Sequence, residues 1–460
     1  MNTVGQIERA TQVRVINLFR NRLGYDYLGD RTDRVGNSCI EDESLKRWLD
    51  MRGVVDALAK RAIRVLHKAA DDTSATLMNR NRSVYELLRY GVKLSPATGE
   101  QHETIWLIDW VNPENNHFAI AEEVTVEGAR LSDGGKASTK RPDIVLYVNG
   151  IALGVLELKR SIVSVSEGIR QNLDNQKREF IQPFFATMQW IMAGNDSEGL
   201  RYGTIETPEK YYLRWVEADG EFATEPNLLD RHLLQLCGKT RFLELIHNFI
   251  VFDAGVKKVC RQNQYFGVKN SQDFILRREG GIIWHTQGSG KTLTMVWLAK
   301  WILENRPDGR VLIVTDRKEL DEQVERVFKG VNLAIYRTKS GADLVERLNT
   351  STESLLCSLV HKFGDRAKEK QTNGAEVGEF LQALKKLPPG FRAKGDIHVF
   401  VDECHRTQSG DLHKAMKKIL PDSIFIGFTG TPLLRDDKKR SIEVFGRYIH
   451  TYKFDQAVRE

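Results

Sequence analysis

Two groups of residues in this chain have the types and spacing for phosphate chemistry. The first begins at Ile282–Met295, IIWHTQGSGKTLTM, where an apolar run breaks into a glycine-rich loop and then Lys-Thr. Gly288 and Gly290 let the backbone turn so that its N–H groups point inward, and a helix opening at this point adds partial positive charge. Lys291 can then reach terminal phosphates, while the Thr292 hydroxyl can ligate Mg²⁺. The consensus G-x-x-x-x-G-K-S/T is met except at its first position, which holds His285. Further on, HVFVDECHR sets Asp402 and Glu403 directly after an apolar run. One carboxylate there can hold the Mg²⁺ shell while its neighbour polarises a water. Thr429-Gly430-Thr431-Pro432 follows a third apolar run, IFIGF, and suits a hinge that senses a γ-phosphate. Singly, each has an ordinary reading as a glycine turn or a strand-end acid. Their order along one chain does not.

The second group lies in RPDIVLYVNGIALGVLELKR. Asp143 opens one β-rich run, and Glu157 and Lys159 sit two apart in the next, on one face of a strand. Two carboxylates and a lysine at a sheet edge can bind Mg²⁺ and activate water against a phosphodiester. The ordinary reading of E-x-K is a solvated strand face, and the alternation with Leu156 and Leu158 fits that too. Register separates the two readings. Asn149-Gly150 favours a two-residue hairpin turn, pairing Val148 with Ile151 and hence Asp143 with Leu156, on the wrong face for Glu157. Convergence therefore requires a three-residue loop or a β-bulge.

The elements needed to position these groups are legible in the patterning. After Thr240, the apolar runs GGIIWH, RVLIVTD, HVFVDE and SIFIGFTG alternate with helix-like stretches, as in a parallel sheet wrapped by helices. Such sheets bind ligands at the carboxyl ends of their strands. Residues before about 240 mix helical spacing (Leu45 to Ala70) with β-rich runs. A boundary near 240–255 divides the chain into residues 1–245 and 246–460, within the range expected at about 150 residues per domain. The segment KEKQTNGAEVGE (368–379) reads as an exposed insertion. With 41% hydrophobic and 28% charged residues the composition is that of a soluble protein, and the net charge of +6 permits a nucleic-acid partner. No apolar run approaches the roughly 18 residues of a membrane span. The five cysteines are scattered without a C-x-x-C pair, so no disulfide frame or zinc site is expected. A cytoplasmic enzyme with no membrane association is the expectation.

In their order, the phosphate loop, Asp402-Glu403-Cys404-His405 and Thr429–Thr431 resemble the motifs of superfamily 2 helicases and translocases. LIVTDRKELDEQ (312–323) looks like that family's next motif, which touches the nucleic-acid backbone. Arg261 and Gln264 in RQNQYF match an R-x-x-Q element that recognises adenine in relatives. The resemblance implies a RecA-like lobe using ATP and Mg²⁺, with Gln287, Gly288, Ser289, Gly290, Lys291 and Thr292 at the nucleotide, Asp402 on the metal and Glu403 orienting water. Pro142-Asp143 with Glu157 and Lys159 resembles the PD-(D/E)xK nuclease signature. The overall fold class expected is thus α/β, a nuclease-like domain followed by a motor lobe.

Nuclease and motor in this order resemble the R subunit of type I restriction enzymes. NRNRSVYELLRYGVKL, EEVTVEG and SEGIRQNLDNQKREFIQPFF occupy the places of that family's nuclease domain. Relatives often show Q-x-x-x-Y after E-x-K; here Gln171 and Gln176 are followed four on by Asn175 and Phe180. A further acid from the first helix would fit, with Glu86 the candidate and an exposed helix carboxylate the alternative. The resemblance implies double-stranded DNA as substrate, with methylation and specificity subunits as partners. It also implies a second RecA-like lobe, so an amino-terminal fragment with little ATPase activity of its own is expected. The alternatives are a stand-alone helicase–nuclease and a catalytically inert DNA-binding scaffold.

Overall fold

The computed structural model describes residues 8–454 except 97–98, 129–137, 218–219, 316–323, 329–332, 351–352, 360–391, 403, 405–415, 418–419, 432–441 and 443–444. The expected insertion at 368–379, the end of LIVTDRKELDEQ, and Glu403 and His405 lie outside the described residues. Two compact units divide between Val259 and Cys260.

The first unit is built on a seven-stranded mixed sheet. Its strands are β1 (Asp26–Asp30), β2 (Phe118–Glu122), β3 (Ile144–Val148), β4 (Ile151–Leu158), β5 (Trp190–Asn195), β6 (Gly199–Gly203) and β7 (Leu213–Arg214), in that spatial order. β2, β3 and β4 run antiparallel, after which β5 returns parallel to β4. Parallel return needs a crossover, and helix α3 (Val165–Asn175) supplies it, packing against β4 and β5. Every residue of β3 and β4 is buried. These strands are therefore Ile/Val/Leu-rich instead of cleanly alternating, as a sheet covered on both faces requires. Helix α1 (Glu8–Asn21) buries Val15, Ile16, Leu18 and Phe19, together with the polar Thr11 and Gln12. The helical spacing read between Leu45 and Ala70 resolves into two helices, Asp42–Met51 and Asp56–Ala70, separated at Arg52-Gly53.

The β3–β4 hairpin bears out the register argument. Asn149 and Gly150 both have positive φ (52° and 84°), the conformation of a two-residue I′ turn, and Val148 pairs with Ile151. Tyr147 then pairs with Ala152 but Leu146 with Gly154, so Leu153 is the extra residue of a bulge. From there Ile144 faces Leu156, and the frame brings Asp143 onto the face of Glu157.

The unit ends later than the patterning before 255 suggested. The hairpin β8 (Ile250–Asp253) and β9 (Val256–Val259) belongs to it. Its Lys257 is only 2% exposed and donates to the amide oxygens of Asn81 and Gln189, both in the first unit.

The second unit holds a seven-stranded sheet whose described strand pairs all run parallel. Its strands are β10 (Gly281–His285), β11 (Gly309–Thr315), β12 (Tyr336–Arg337), β13 (Leu355–Leu359), β14 (Asp396–Val401), β15 (Ile424–Thr429) and β16 (Tyr448–Tyr452). They lie in the order β12-β13-β11-β14-β15-β10-β16. Helix α4 (Gln262–Leu276) packs on α5 (Lys291–Asn305) and β16. The phosphate-loop strand β10 is therefore flanked by the strand ending in Thr429, with the strand ending before Asp402 next beyond. That sheet, wrapped by helices, has the α/β architecture expected for residues 246–460.

Candidate active sites

In the first unit, Asp143 stands just before β3 and accepts a hydrogen bond from the Leu158 backbone N–H on Oδ2, at 2.7 Å. This bond fixes the acid beside β4, which carries Glu157 as its penultimate residue. Glu157 is fully buried, and its Oε2 accepts from Gln171 Nε2 of α3 at 2.7 Å. Its Oε1 is buried with no hydrogen-bond partner. Lys159 donates to the Leu158 carbonyl at 3.0 Å and lies 3.8 Å from Glu8 of α1. Gly168 allows α3 this close, since a Cβ there would stand 3.0 Å from the Ala193 Cβ and 3.5 Å from that of Glu157.

Burial dominates the electrostatics. It pushes the Asp143 carboxyl up to about 6, against the pull of the Leu158 N–H and Lys159, while Glu8 and Glu123 add to the rise. Glu157 is driven well above the carboxylate range by burial and then by Asp143. Two adjacent acids that resist ionisation, one with an orphaned oxygen, are what a divalent cation would relieve. Among the described residues no cluster of three or more His, Cys, Asp or Glu stands ready to hold a metal. Mg²⁺ commonly takes one or two carboxylates and fills its octahedron with water and substrate phosphate, so the pair present fits that ion.

Several polar groups around the pair were not legible in advance. Gln12 of α1 donates to Glu123 Oε1 at 2.9 Å and to the Asp143 carbonyl at 3.3 Å, and Arg141 holds the other Glu123 oxygen at 2.7 Å. The only sequence signal was the i, i+4 pair Glu8/Gln12 on an otherwise amphipathic helix. Gln171 meets Glu157, whereas Gln176 bonds the Asn172 carbonyl and the Glu206 N–H, a packing role. The Glu86 side chain is 44% exposed and pairs with Arg82, as an ordinary helix carboxylate does. The helix acid near Lys159 is Glu8 instead.

In the second unit the loop after β10 enters α5 through Gly290, whose φ of 82° suits glycine. Gly288 is likewise positive at 83°. Gln264 is 2% exposed and donates to the carbonyls of Ser289 (3.2 Å) and Gly290 (3.1 Å) while accepting from the Arg261 N–H (2.8 Å). Arg261 reaches the Gly288 carbonyl at 3.4 Å. The R-x-x-Q pair thus braces the loop from behind, with Gln287 and Gly288 exposed in front. A Cβ at Gly430 would lie 2.7 Å from Lys291 Nζ, so the lysine spans from its own loop to the Thr429–Thr431 turn. Thr292 stands in the first turn of α5. Asp402, 3% exposed, follows β14, its N–H donating to Val314 at 2.9 Å. Thr429 closes β15, its Oγ1 accepting from the Thr431 N–H at 3.4 Å.

Residues 6–210 match the family described as type I restriction enzyme R protein N terminus, and residues 263–460 the SWI2/SNF2 ATPase family. The putative type I restriction enzyme MjaIXP endonuclease subunit of Methanocaldococcus jannaschii is 28% identical over 83% of this chain and 37% of its own length. The type I restriction enzyme HindI endonuclease subunit of Haemophilus influenzae is 27% identical over 86% of this chain and 39% of its own. This chain therefore spans well under half the length of these curated relatives. A solved Sulfolobus solfataricus SWI2/SNF2 ATPase core in complex with dsDNA aligns over 44% of this chain and 38% of that one, at 14% identity and TM-score 0.30. No helix among the described residues is long and apolar enough to cross a membrane. An R-protein amino-terminal region followed by an SWI2/SNF2-type ATPase region makes this chain similar to the R subunits of type I restriction enzymes.

Proposed function

We propose that this chain carries the DNA-cutting centre and part of the ATP-driven duplex translocase of a type I restriction complex. Methylation and specificity subunits would recognise the target in the cytoplasm, and this chain would supply cleavage and force. The observation that carries the reading is the convergence of Asp143, Glu157 and Lys159, with one Glu157 oxygen left unpartnered, in a chain that also holds the phosphate loop.

On this reading the three residues form a PD-(D/E)xK centre. Asp143 and Glu157 would hold Mg²⁺, a Lewis acid able to supply polarisation of a phosphodiester and of a water. Gln171 keeps one oxygen of Glu157 fixed, and the Leu158 N–H does the same for Asp143, so both acids are pre-aimed. Lys159, held among the described residues by a backbone carbonyl and a distant Glu8, would stabilise the charged phosphorane or position water. In the motor lobe, Lys291 and the loop N–H groups receive the phosphates, with Ser289 and Thr292 beside them. Asp402 and Thr292 would hold the accompanying Mg²⁺, Glu403 would orient water toward the γ-phosphate, and Thr429–Thr431 would relay its loss to the DNA grip. Arg261 and Gln264 steady the loop from the adenine side.

The test is nicking of supercoiled plasmid in Mg²⁺, in the assembled complex with ATP. Asp143→Ala and Lys159→Ala should abolish cleavage while ATP consumption continues, and Lys291→Ala should abolish translocation without preventing assembly. Cleavage that survives both nuclease substitutions would remove the assignment.

A further inference from the structure

The phosphate loop departs from consensus at His285, and that residue is the centre of a buried polar chain. Asn263 Nδ2 of α4 meets His285 Nδ1 at 3.3 Å, and His285 Nε2 meets His450 Nδ1 of β16 at 2.8 Å. The imidazole of His285 is fully buried, and the two rings meet edge to face at 5.0 Å. Room for it comes from Gly267 in α4, where a Cβ would lie 2.9 Å from His285 Cε1. Backbone bonding reinforces the tie, since the Thr286 N–H donates to the Tyr452 carbonyl at 3.0 Å. The residue opening the loop is thus held from one side by the helix bearing Arg261 and Gln264. The edge strand β16 holds it from the other.

Such a chain works only if one ring nitrogen of each pair gives a proton and the other receives it. With the Asn263 amide nitrogen facing the ring, His285 carries its proton on Nε2 and gives it to His450 Nδ1, both rings neutral. Burial keeps them so, holding His285 well below the usual histidine range and His450 at about 4. A glycine at 285 could make none of these bonds, and β16 would then hold the loop by its backbone alone.

We propose that His285 and His450 are positioning residues for the triphosphate: the edge strand β16, acting through the imidazole pair, fixes the start of the phosphate loop. The inference rests on the nucleotide reading above. Neither imidazole is assigned a contact with nucleotide; both act through the loop backbone.

The test uses this chain with a fluorescent ATP analogue, and competition by ATP, ADP and adenosine. His450→Ala should weaken ATP by about five- to tenfold, the effect of one lost buried hydrogen bond. Adenosine affinity should stay unchanged. His450→Asn, whose amide can replace the Nδ1 contact in either direction, should restore ATP binding to within about twofold. Asn263→Ala breaks the other end of the chain and carries the same expectation if His450→Ala does not fold. ATP affinity unchanged in folded variants, or ATP and adenosine weakened equally, would overturn the proposal by reducing the pair to packing. If the unaltered chain binds no ATP, or Lys291→Ala binds it as well, the nucleotide reading fails first and the inference with it.

Discussion

Lys291 lays its ammonium against the bare Cα of Gly430, so closely that a Cβ at 430 would stand 2.7 Å from Nζ. Two motifs 139 positions apart in sequence thereby meet across adjacent strands, because β10 and β15 pair directly, Trp284 against Thr429. The obstructing atom is the end of a flexible side chain, so a methyl group at 430 would displace the lysine and leave the sheet intact. Gly430→Ala should weaken ATP binding severalfold and ADP binding less, since Lys291 is placed for the terminal phosphates, while the melting temperature stays nearly unchanged. Nucleotide titration beside a thermal melt reads both. Equal affinities for ATP in the two chains would show that the lysine finds its place without the gap.

The acids of the first unit predict a stability that falls as pH rises. Burial pushes the Asp143 carboxyl up to about 6 from an ordinary value of 3.8. A carboxyl raised by folding contributes stability that is complete below its unfolded value and lost as pH climbs through the folded one. The window here runs from about 4 to above 6, and Glu157 shifts in the same direction. Asp143→Asn keeps an oxygen for the Leu158 N–H and removes the charge. It should stabilise the protein at pH 8 and flatten the pH dependence. Mg²⁺ should stabilise the unaltered chain at pH 8 and not the variant. Urea midpoints at pH 4, 6 and 8 check all three, and an Asp143→Asn variant less stable at pH 8 than the unaltered chain would contradict the burial account.

How far the sequence anticipates this centre depends on how locally each part is specified. The phosphate loop is contiguous, and its glycines and lysine announce themselves. Asp143, Glu157 and Lys159 are separated by a single hairpin, so turn type and strand parity sufficed to require the bulge that Leu153 forms. Gln12 and Glu123 are placed by long-range contact: the amide reaches a carboxylate 111 positions away. No local spacing encodes that. Glu86 takes the reading of an ordinary helix carboxylate because helical exposure depends on which face the core claims, and its partly exposed side chain pairs with Arg82. His450 had no signal at all, since its meaning comes from β16 lying beside β10.

Gln171 should reveal itself through the pH dependence of cleavage. Its amide supplies the one hydrogen bond that favours ionised Glu157 from α3. Without it the carboxylate is harder to form and freer to turn. Gln171→Ala should lower plasmid nicking at neutral pH by about 10- to 100-fold, the usual range for a residue that orients a metal ligand. Part of the loss should return as pH rises and Glu157 ionises. A uniform loss at all pH values would point to a packing role, and full activity would exclude any part in cleavage.

The hairpin at the end of the first unit makes the last prediction, on stability. Among the described residues no carboxylate pairs with the buried Lys257, whose ammonium is held by the Asn81 and Gln189 oxygens and lies 5.6 Å from the Tyr85 ring centroid and 5.7 Å from that of Phe252. Asn81 in turn donates to the carbonyls of Ala186 and Met188, at 3.0 and 2.7 Å, in the segment leading into β5. Removing the lysine therefore orphans two buried amide oxygens, each costing about 1–3 kcal/mol. Burial already penalises the charged lysine, holding its pKa well below the ordinary 10.5, which offsets part of that cost. Lys257→Met should be destabilising on balance by about 1–4 kcal/mol. For the same reason, residues 1–259 expressed alone should fold with a sharper and higher melting transition than residues 1–245, which lack the hairpin. Calorimetry on the two pieces decides it: indistinguishable transitions would mean that β8 and β9 rest on the unit without supporting it.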